Sequence, residues 1–160
     1  MKLSAEQRRL ILRDPAGWIA CGFGSGLSPV APGTFGSAAA LLPWLLLRQL
    51  PLWGILAITA AVFVVGVWAS QRTVDRLSLS DPGCVVIDEF VGQWLALAFA
   101  PPGWMWMLAG FALFRLFDVW KPWPVSWADR NVHGGLGVML DDAMAGAMAA
   151  AVLALVRWVV

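Results

Sequence analysis

The sequence predicts an all-α fold: a polytopic membrane helical bundle of about four to five transmembrane or re-entrant helices, forming one domain over residues 1–160. Hydrophobic residues make up 60% of the chain and charged residues 13%, whereas about a quarter of a soluble domain is charged. Residues 49–71 and 90–114 contain no ionisable side chain. The chain also has 11 tryptophans, which membrane proteins concentrate at the lipid interfaces. The net charge of +1 and the absence of a basic block indicate no nucleic-acid partner.

The elements follow from the apolar stretches and their breaks, taken in chain order. Residues 1–21 lack the apolar core of a signal peptide and predict a retained amphipathic or irregular segment. The next apolar piece contains Pro43 and predicts either a span or a re-entrant segment. "PPG" at residues 101–103 divides a later apolar run into two helices. The predicted helices cover residues 36–47, 52–69, 84–100, 103–118 and 138–159.

The basic residues predict the orientation of the bundle. Lysines and arginines are frequent before the first predicted helix, after the second and after the fourth, and sparse in the other connections. Because positive loops stay in the cytoplasm, five spans with a cytoplasmic amino terminus account for this alternation. The tryptophans then fall near two interfaces, at positions 53, 104, 106 and 158 on the outer side and 68, 120, 123 and 127 on the inner side.

Two pairs of adjacent acids stand at the predicted cytoplasmic ends of apolar helices, Asp88 with Glu89 and Asp141 with Asp142. Gly92 and Gly146 each follow an aspartate by four residues, so acid and glycine share a helix face. Glycine lets helix backbones approach closely, which predicts that the two helices bring the four carboxylates together. Such a cluster needs protons or a cation, and carboxylate oxygens suit Mg²⁺. The alternative is that these acids cap helices or pair with nearby basic residues.

Further chemistry-bearing residues follow in "FRLFDVWKPWPVSWADRNVHGG", residues 114–135. Arg115, Lys121 and Arg130 are candidate phosphate clamps, or they mark this loop as cytoplasmic. His133 is a candidate proton carrier near neutral pH, although a lone loop histidine often has a structural role. Asp118 is a further candidate metal ligand.

The glycine-rich segment "GFGSGLSPVAPGTFGS", residues 22–37, predicts an anion-binding loop before the first helix, because it offers backbone N–H groups and hydroxyls. It lacks the Gly-Lys-Ser/Thr ending of a nucleotide-binding P-loop. Cys21 and Cys84 form no metal or redox motif and are expected to be small buried hydrophobes. The candidate substrate-binding residues are Gly24, Ser25, Gly33, Thr34, Ser37, Arg115 and Asn131.

Five motifs in this order, "GFGSGLSPVAPGTFGS", "VIDEFVG", "FRLFDVWKPWP", "DRNVHGG" and "DDAMAG", resemble the phosphatidylglycerophosphatase A family over residues 22–150. The resemblance implies a helical membrane enzyme that hydrolyses phosphatidylglycerophosphate to phosphatidylglycerol and phosphate with Mg²⁺. It also implies a place in the bacterial inner membrane, and the predicted orientation puts the site on the cytoplasmic side.

The roles of individual residues are inferred from their chemistry. We expect Asp88, Glu89, Asp141 and Asp142 to bind the metal, and Lys121 with Arg130 to stabilise charge on the phosphoryl group. Asp118 is a candidate nucleophile for a phospho-aspartate, but attack by water is favoured because the haloacid-type Asp-x-Asp pattern is missing. Two other classes stay open. A cation or proton transporter would carry its acids near the bilayer midplane, and a lipid-binding subunit would lack catalysis.

Overall fold

The computed structural model describes residues 3–79 and 82–159, and every regular element in these ranges is a helix, which confirms the predicted all-α class. Predictions that involve Met1, Lys2, Ser80, Asp81 and Val160 lie outside the described residues. A short 3₁₀ segment, Gly22–Leu27, separates the second and third α-helices. The α-helices are α1 Ala5–Leu12, α2 Pro15–Ala20, α3 Pro32–Leu47, α4 Leu52–Leu77, α5 Ile87–Ala98, α6 Trp104–Trp120, α7 Val125–Asn131 and α8 Gly134–Val159.

Three helices are at least four residues longer than predicted, and the first of them, α3, begins at Pro32 instead of residue 36. Helix α4 continues to Leu77 instead of ending at residue 69, and α8 begins at Gly134 instead of residue 138. The added turns of α4 and α8 are hydrogen-bonded to each other, because the Gln71 side-chain oxygen accepts a hydrogen bond of 2.7 Å from the Gly135 N–H. This bond satisfies one of the four N–H groups that a helix start leaves without a partner. Gln71 lies beyond the predicted end of the span, and α4 continues through it because its side chain has a polar partner on α8.

Helix α5 is shorter than predicted and is mostly buried. The Val86 N–H donates a hydrogen bond of 2.8 Å to the Ala20 carbonyl, and Val86 is not helical (φ −144°), so the helix begins only at Ile87. Twelve residues extend about 18 Å, well short of a hydrocarbon core of about 30 Å. The prediction of a full span over residues 84–100 was therefore wrong, and α5 is a core helix.

The outer surface of the bundle is apolar. Among the described residues, α4 and α8 are the helices long and apolar enough to cross a membrane, and α3 is a shorter apolar helix of 16 residues. Only 28% of the most apolar stretch of α4 and 44% of that of α8 is buried within the protein. Large exposed apolar surfaces on soluble proteins are unusual, so this surface fits contact with lipid. Exposed tryptophans include Trp53, Trp104 and Trp158 near one end, and Trp68, Trp120, Trp123 and Trp127 near the other.

The centre of the fold is the close crossing of α5 and α8 at Gly92 and Gly146. A Cβ added to Gly146 would lie 2.8 Å from the Gly92 Cα, which is too close for any side chain there. Helix α6 packs against the same crossing through the fully buried Phe114 ring. A Cβ added to Gly92 would lie 2.3 Å from that ring, so a larger residue does not fit there. The glycine spacing in the sequence thus predicted this contact correctly.

The amino-terminal segment is helical and is fastened to α4 by one buried acid. The Asp14 carboxylate caps α2 through the Ala16 N–H and pairs with Arg72 Nε at 3.0 Å and Arg76 Nη1 at 2.9 Å. Burial alone would raise the pKa of Asp14, but the Arg72 hydrogen bond and the charges of both arginines lower it overall. In this segment, Ala5–Leu12 and Pro15–Ala20 form two short helices.

Candidate active site

A cavity of about 510 Å³ lies at one end of the bundle, where α4 and α6 end and α3, α5 and α8 begin. This convergence follows from the antiparallel packing of α4 and α6 with α5 and α8, which brings the polar helix ends to the same side. The cavity contains most of the chemistry-bearing residues predicted from the sequence. Its polar lining consists of Asp88, Glu89, Asp118, Lys121, Asp129, His133, Asp141 and Asp142, with Gly33 from α3.

The α5–α8 crossing explains why four acids meet here. Asp88 and Glu89 occupy the first turn of α5, while Asp141 and Asp142 lie two turns into α8. Because the first turn of α8 contains no acid, Asp141 and Asp142 do not cap that helix. Glu89, Asp141 and Asp142 are all buried. Buried carboxylates without a capping role need another source of stabilisation.

Glu89 receives that stabilisation from two neighbouring helices. Arg115 Nη1 on α6 lies 2.5 Å from both Glu89 oxygens, and the Ser37 hydroxyl on α3 donates a hydrogen bond of 2.5 Å to Glu89 Oε2. The same guanidinium nitrogen lies 2.7 Å from Asp118 Oδ2. Arg115 therefore holds Glu89 and Asp118 in place from behind the cavity lining, and Ser37 completes the coordination of Glu89.

Lys121 stabilises a second acid. It ends α6 in the left-handed conformation (φ 48°), with its N–H donating 2.8 Å to the Phe117 carbonyl. Its ammonium group pairs with Asp141 Oδ2 at 2.6 Å and with Asp129. Burial alone would lower the pKa of Lys121, but the hydrogen bonds to Asp129 and Asp141 raise it overall, so the lysine stays charged. An ammonium has three N–H groups, and two acids leave one for a ligand in the cavity.

Asp88 and Asp142 differ from these paired acids, because within residues 3–79 and 82–159 neither forms an ion pair. Asp142 Oδ2 is buried and has no hydrogen-bond partner among the described residues, and the carboxyl groups of Asp88, Glu89 and Asp118 lie close to Asp142. Asp88 Oδ1 accepts a hydrogen bond of 2.9 Å from the adjacent Glu89 N–H. Among the described residues, six acids line the cavity and only Lys121 and Arg115 pair with them, a formal excess of four negative charges.

The donor set suits a hard cation, although in the described ranges no three acid, histidine or cysteine side chains converge into a ready-made metal site. Glu89 and Asp141 are bound to basic groups, so Asp88 and Asp142 are the two predicted metal ligands that form no ion pair in the described ranges. Protein sites for Mg²⁺ often use one or two carboxylates together with water and substrate phosphate. The unpartnered oxygen of Asp142 and the negative excess fit such a site.

Several predicted residues lie away from the cavity. The segment of residues 22–37 is only partly a loop, because Gly22–Leu27 forms the 3₁₀ segment, residues 28–31 form a loop and α3 begins at Pro32. From the predicted set in this segment, Gly33 lines the cavity. Arg130 and Thr34 are exposed, and Asn131 donates its amide N–H to the Trp127 carbonyl at 2.7 Å. Gly24 has φ 101°, and Ser25 donates to the Gly22 carbonyl while lining a separate apolar cavity.

Sequence reasoning missed two contributions. Asp129 lines the cavity and holds Lys121, and its signal was present in "DRNVHGG" as an acid eight residues after that lysine. Ser37 was expected to contact substrate, whereas its hydroxyl contacts Glu89. No local pattern shows that contact, since the two residues are 52 positions apart.

The fold and cavity together define a class: an all-helical protein with an apolar outer surface and an acidic cavity at one end of the bundle. Comparison with known proteins gives the particular family. Residues 18–157 match the family model described as Phosphatidylglycerophosphatase A, so the chain belongs to the phosphatidylglycerophosphatase A family and is a phosphatase. The resemblance read from the five motifs is thereby confirmed.

Curated relatives agree with this assignment. The chain is 45% identical to Phosphatidylglycerophosphatase A of Escherichia coli, covering 91% of this chain and 85% of that protein. It is 40% identical to Phosphatidylglycerophosphatase A of Haemophilus influenzae, covering 94% of each. A Putative phosphatidylinositol-3-phosphatase of Bacteroides thetaiotaomicron is 43% identical, covering 89% of this chain and 93% of the relative. No solved structure matches the chain significantly.

Proposed function

We propose that this protein hydrolyses phosphatidylglycerophosphate to phosphatidylglycerol and phosphate with Mg²⁺, at the cytoplasmic face of the bacterial inner membrane. The observation that carries this proposal is the end-of-bundle cavity in which unpaired Asp88 and Asp142 lie beside charged Lys121. The family and two relatives named for this activity support the choice of substrate. The basic loops around the cavity support its cytoplasmic orientation.

The charge of the cavity is the argument for a metal. A phosphomonoester carries up to two negative charges, and it would enter a cavity with a formal excess of four negative charges only if cations offset the repulsion. Asp88 and Asp142 would hold the ion, since their oxygens have no basic partner among the described residues. Bound Mg²⁺ would supply Lewis-acid polarisation of the phosphoryl oxygens and a more acidic bound water.

The three basic residues Lys121, Arg115 and Arg130 have different roles in the proposed mechanism. Lys121 directs its remaining N–H towards a phosphoryl oxygen and stabilises charge as the transition state forms. Arg115 is a positioning residue, because its guanidinium is engaged with Glu89 and Asp118 and does not line the cavity. Arg130 is exposed and forms no ion pair in the described part of the chain, so Lys121 is the better candidate clamp.

The hydrolytic step needs a nucleophile and two proton transfers. Water attacks phosphorus, the bond from phosphorus to the glycerol oxygen breaks, and Asp118 takes the proton that the attacking water loses. Asp118 suits this role because Arg115 fixes one of its oxygens at 2.7 Å and the side chain faces the cavity. His133, exposed at the cavity rim, is the candidate donor of the proton that the leaving glycerol oxygen needs. Direct attack by Asp118 is the alternative, and it would leave a phospho-aspartate.

A second substrate is favoured by one observation, the 43% identity to a relative named Putative phosphatidylinositol-3-phosphatase. The deciding experiment measures phosphate release by the detergent-solubilised protein from phosphatidylglycerophosphate and from phosphatidylinositol 3-phosphate. Each assay is run with Mg²⁺, with EDTA, and with EDTA followed by excess Mg²⁺. We expect faster release from phosphatidylglycerophosphate, loss with EDTA and recovery with Mg²⁺. Preference for the inositol lipid would replace the proposed substrate, and full activity in EDTA would remove the metal from the proposal.

A further inference from the structure

A second cavity, of about 590 Å³, adjoins the acidic one. It lies between α1, the end of the 3₁₀ segment and the turn before α5, and it shares Pro32 and Gly83 with the acidic cavity. The two spaces are therefore neighbours on either side of these two residues. The other residues of the second cavity are Leu3, Ala5, Arg8, Gly26, Leu27, Ser28, Pro29 and Cys84.

The two cavities have opposite electrostatic character. Six acids line the first, whereas Arg8 is the charged residue among the described residues that line the second. The Arg8 side chain is held there, because its Nη2 donates a hydrogen bond of 2.8 Å to the Leu27 carbonyl. A guanidinium has five N–H donors, so most of them are available to an anion. Arg8 thus gives the second cavity a positive charge and N–H donors, which suit an anion.

We propose that the second cavity binds the phosphodiester of the lipid substrate, with Arg8 as the group that recognises it. This inference rests on the proposed function, since phosphatidylglycerophosphate has a terminal phosphomonoester and an inner phosphodiester joined by a glycerol. The terminal group, which carries more charge, occupies the acidic cavity, and the singly charged diester pairs with Arg8 through charge-assisted hydrogen bonds. Arg8 is then a specificity-determining residue that distinguishes such lipids from simple phosphomonoesters.

The surroundings of the second cavity suit a lipid whose chains remain in the bilayer. Val30 and Phe35, on either side of the shared Pro32, are 69% and 56% exposed. Leu10 and Leu12 on α1 are also exposed. Exposed apolar side chains next to a cavity that holds an arginine are typical of a surface that contacts lipid. The acyl chains can therefore leave the diester site along an apolar surface.

The test compares Arg8→Gln with Arg9→Gln, a matched control on the same helix. Both arginines are exposed, and Arg9 lies outside the second cavity and forms no ion pair in the described ranges. For Arg8→Gln we expect KM for phosphatidylglycerophosphate to rise about tenfold, the effect of losing one hydrogen bond to a charged group. Inhibition by inorganic phosphate, which needs only the acidic cavity, should stay within about twofold of wild type. Arg9→Gln should match wild type in both measurements.

A binding measurement separates this inference from the proposed function. Short-chain phosphatidylglycerol has the diester but no phosphomonoester, and its affinity for the solubilised protein should fall about tenfold in Arg8→Gln alone. Equal behaviour of the two variants in KM and in this binding would overturn the diester site while leaving the phosphatase function intact. Parallel loss of phosphate inhibition in Arg8→Gln would also overturn it, since the effect would then reach the acidic cavity. No hydrolysis by the wild type, together with Arg8-dependent lipid binding, would reject the proposed function and support the diester site.

Discussion

The acid pair on α5, Asp88 with Glu89, and the acid pair on α8, Asp141 with Asp142, line the same cavity. In the α5 pair the second acid forms an ion pair, whereas in the α8 pair the first acid does. On α5 the second acid, Glu89, is bound by Arg115, and the first, Asp88, has no basic partner among the described residues. On α8 the first acid, Asp141, is bound by Lys121, and the second, Asp142, has an unpartnered oxygen. Among the described residues, each pair thus has one acid in an ion pair and one acid outside any ion pair.

Helix α6 creates this difference, because both basic partners belong to it. Arg115 lies within α6 and Lys121 ends it, so one helix supplies a cation to each acid pair. The acids that α6 does not neutralise, Asp88 and Asp142, interact with each other across the α5–α8 crossing. The comparison predicts that paired acids contribute mainly to stability and unpaired acids mainly to turnover.

The largest expected effect comes from removing an unpaired charge. Asp88→Asn and Asp142→Asn should each lower kcat/KM by about 10²- to 10³-fold, as expected for the loss of one preorganised electrostatic group. Their melting temperature should stay equal or rise, because each substitution relieves repulsion between like charges. The measurements are phosphate release over a Mg²⁺ titration and thermal unfolding in detergent. Near-normal turnover in both variants would break the distinction between paired and unpaired acids.

A slightly smaller effect on the rate is expected at Lys121, which pairs with Asp129 and Asp141 and is the proposed phosphate clamp. Lys121→Met should lower the rate about 30- to 900-fold, corresponding to about 2–4 kcal/mol of lost transition-state stabilisation. Lys121→Arg keeps the charge in a planar geometry and should retain partial activity. Initial phosphate release at saturating Mg²⁺ distinguishes the two variants. A methionine variant within about threefold of wild type would show that Lys121 only neutralises Asp141 and Asp129.

Removing a paired charge should affect stability more than the unpaired substitutions do. Glu89→Gln should destabilise the fold by about 2 kcal/mol, because it leaves the largely buried Arg115 with one carboxylate fewer. The loss is below that of a fully broken buried pair, since Arg115 keeps Asp118. Thermal unfolding of Glu89→Gln beside Asp142→Asn gives the comparison directly. A more stable Glu89→Gln would place Glu89 with the unpaired acids.

The smallest effect is expected at Asp14, a paired acid far from the cavity. Its lowered pKa means that the pairing with Arg72 and Arg76 stabilises the fold above about pH 4 and is lost as pH falls through the folded-state pKa. Asp14→Asn should therefore cost about 1 kcal/mol at pH 7, and the difference from wild type should shrink on acidification. Melting curves between pH 3 and pH 7 measure this, with phosphate release at pH 7 unchanged. A constant difference at all pH values would assign the effect to the α2 cap alone.

Local sequence patterns predict the helical class, the breaks between the long apolar helices and the meeting of the acids. The helix-face spacing of Asp88 with Gly92 and of Asp142 with Gly146 is local information, and so is the length of each charge-free stretch. At the crossing the two backbones are so close that only glycine fits at positions 92 and 146. These features needed no knowledge of distant partners.

Contacts between distant residues determine which acids form ion pairs and where α4, α5 and α8 begin or end. Arg115 and Glu89 are 26 positions apart, Lys121 and Asp141 are 20 apart, and Gln71 caps a helix that begins 63 positions after it. These contacts join residues far apart in the sequence, and no helical or strand periodicity relates such positions. The physical reason is that desolvating a carboxylate is costly until a basic or hydroxyl partner reaches it. Whether a basic or hydroxyl side chain lies next to a given carboxylate depends on how α3, α4 and α6 pack. No local sequence pattern encodes that packing.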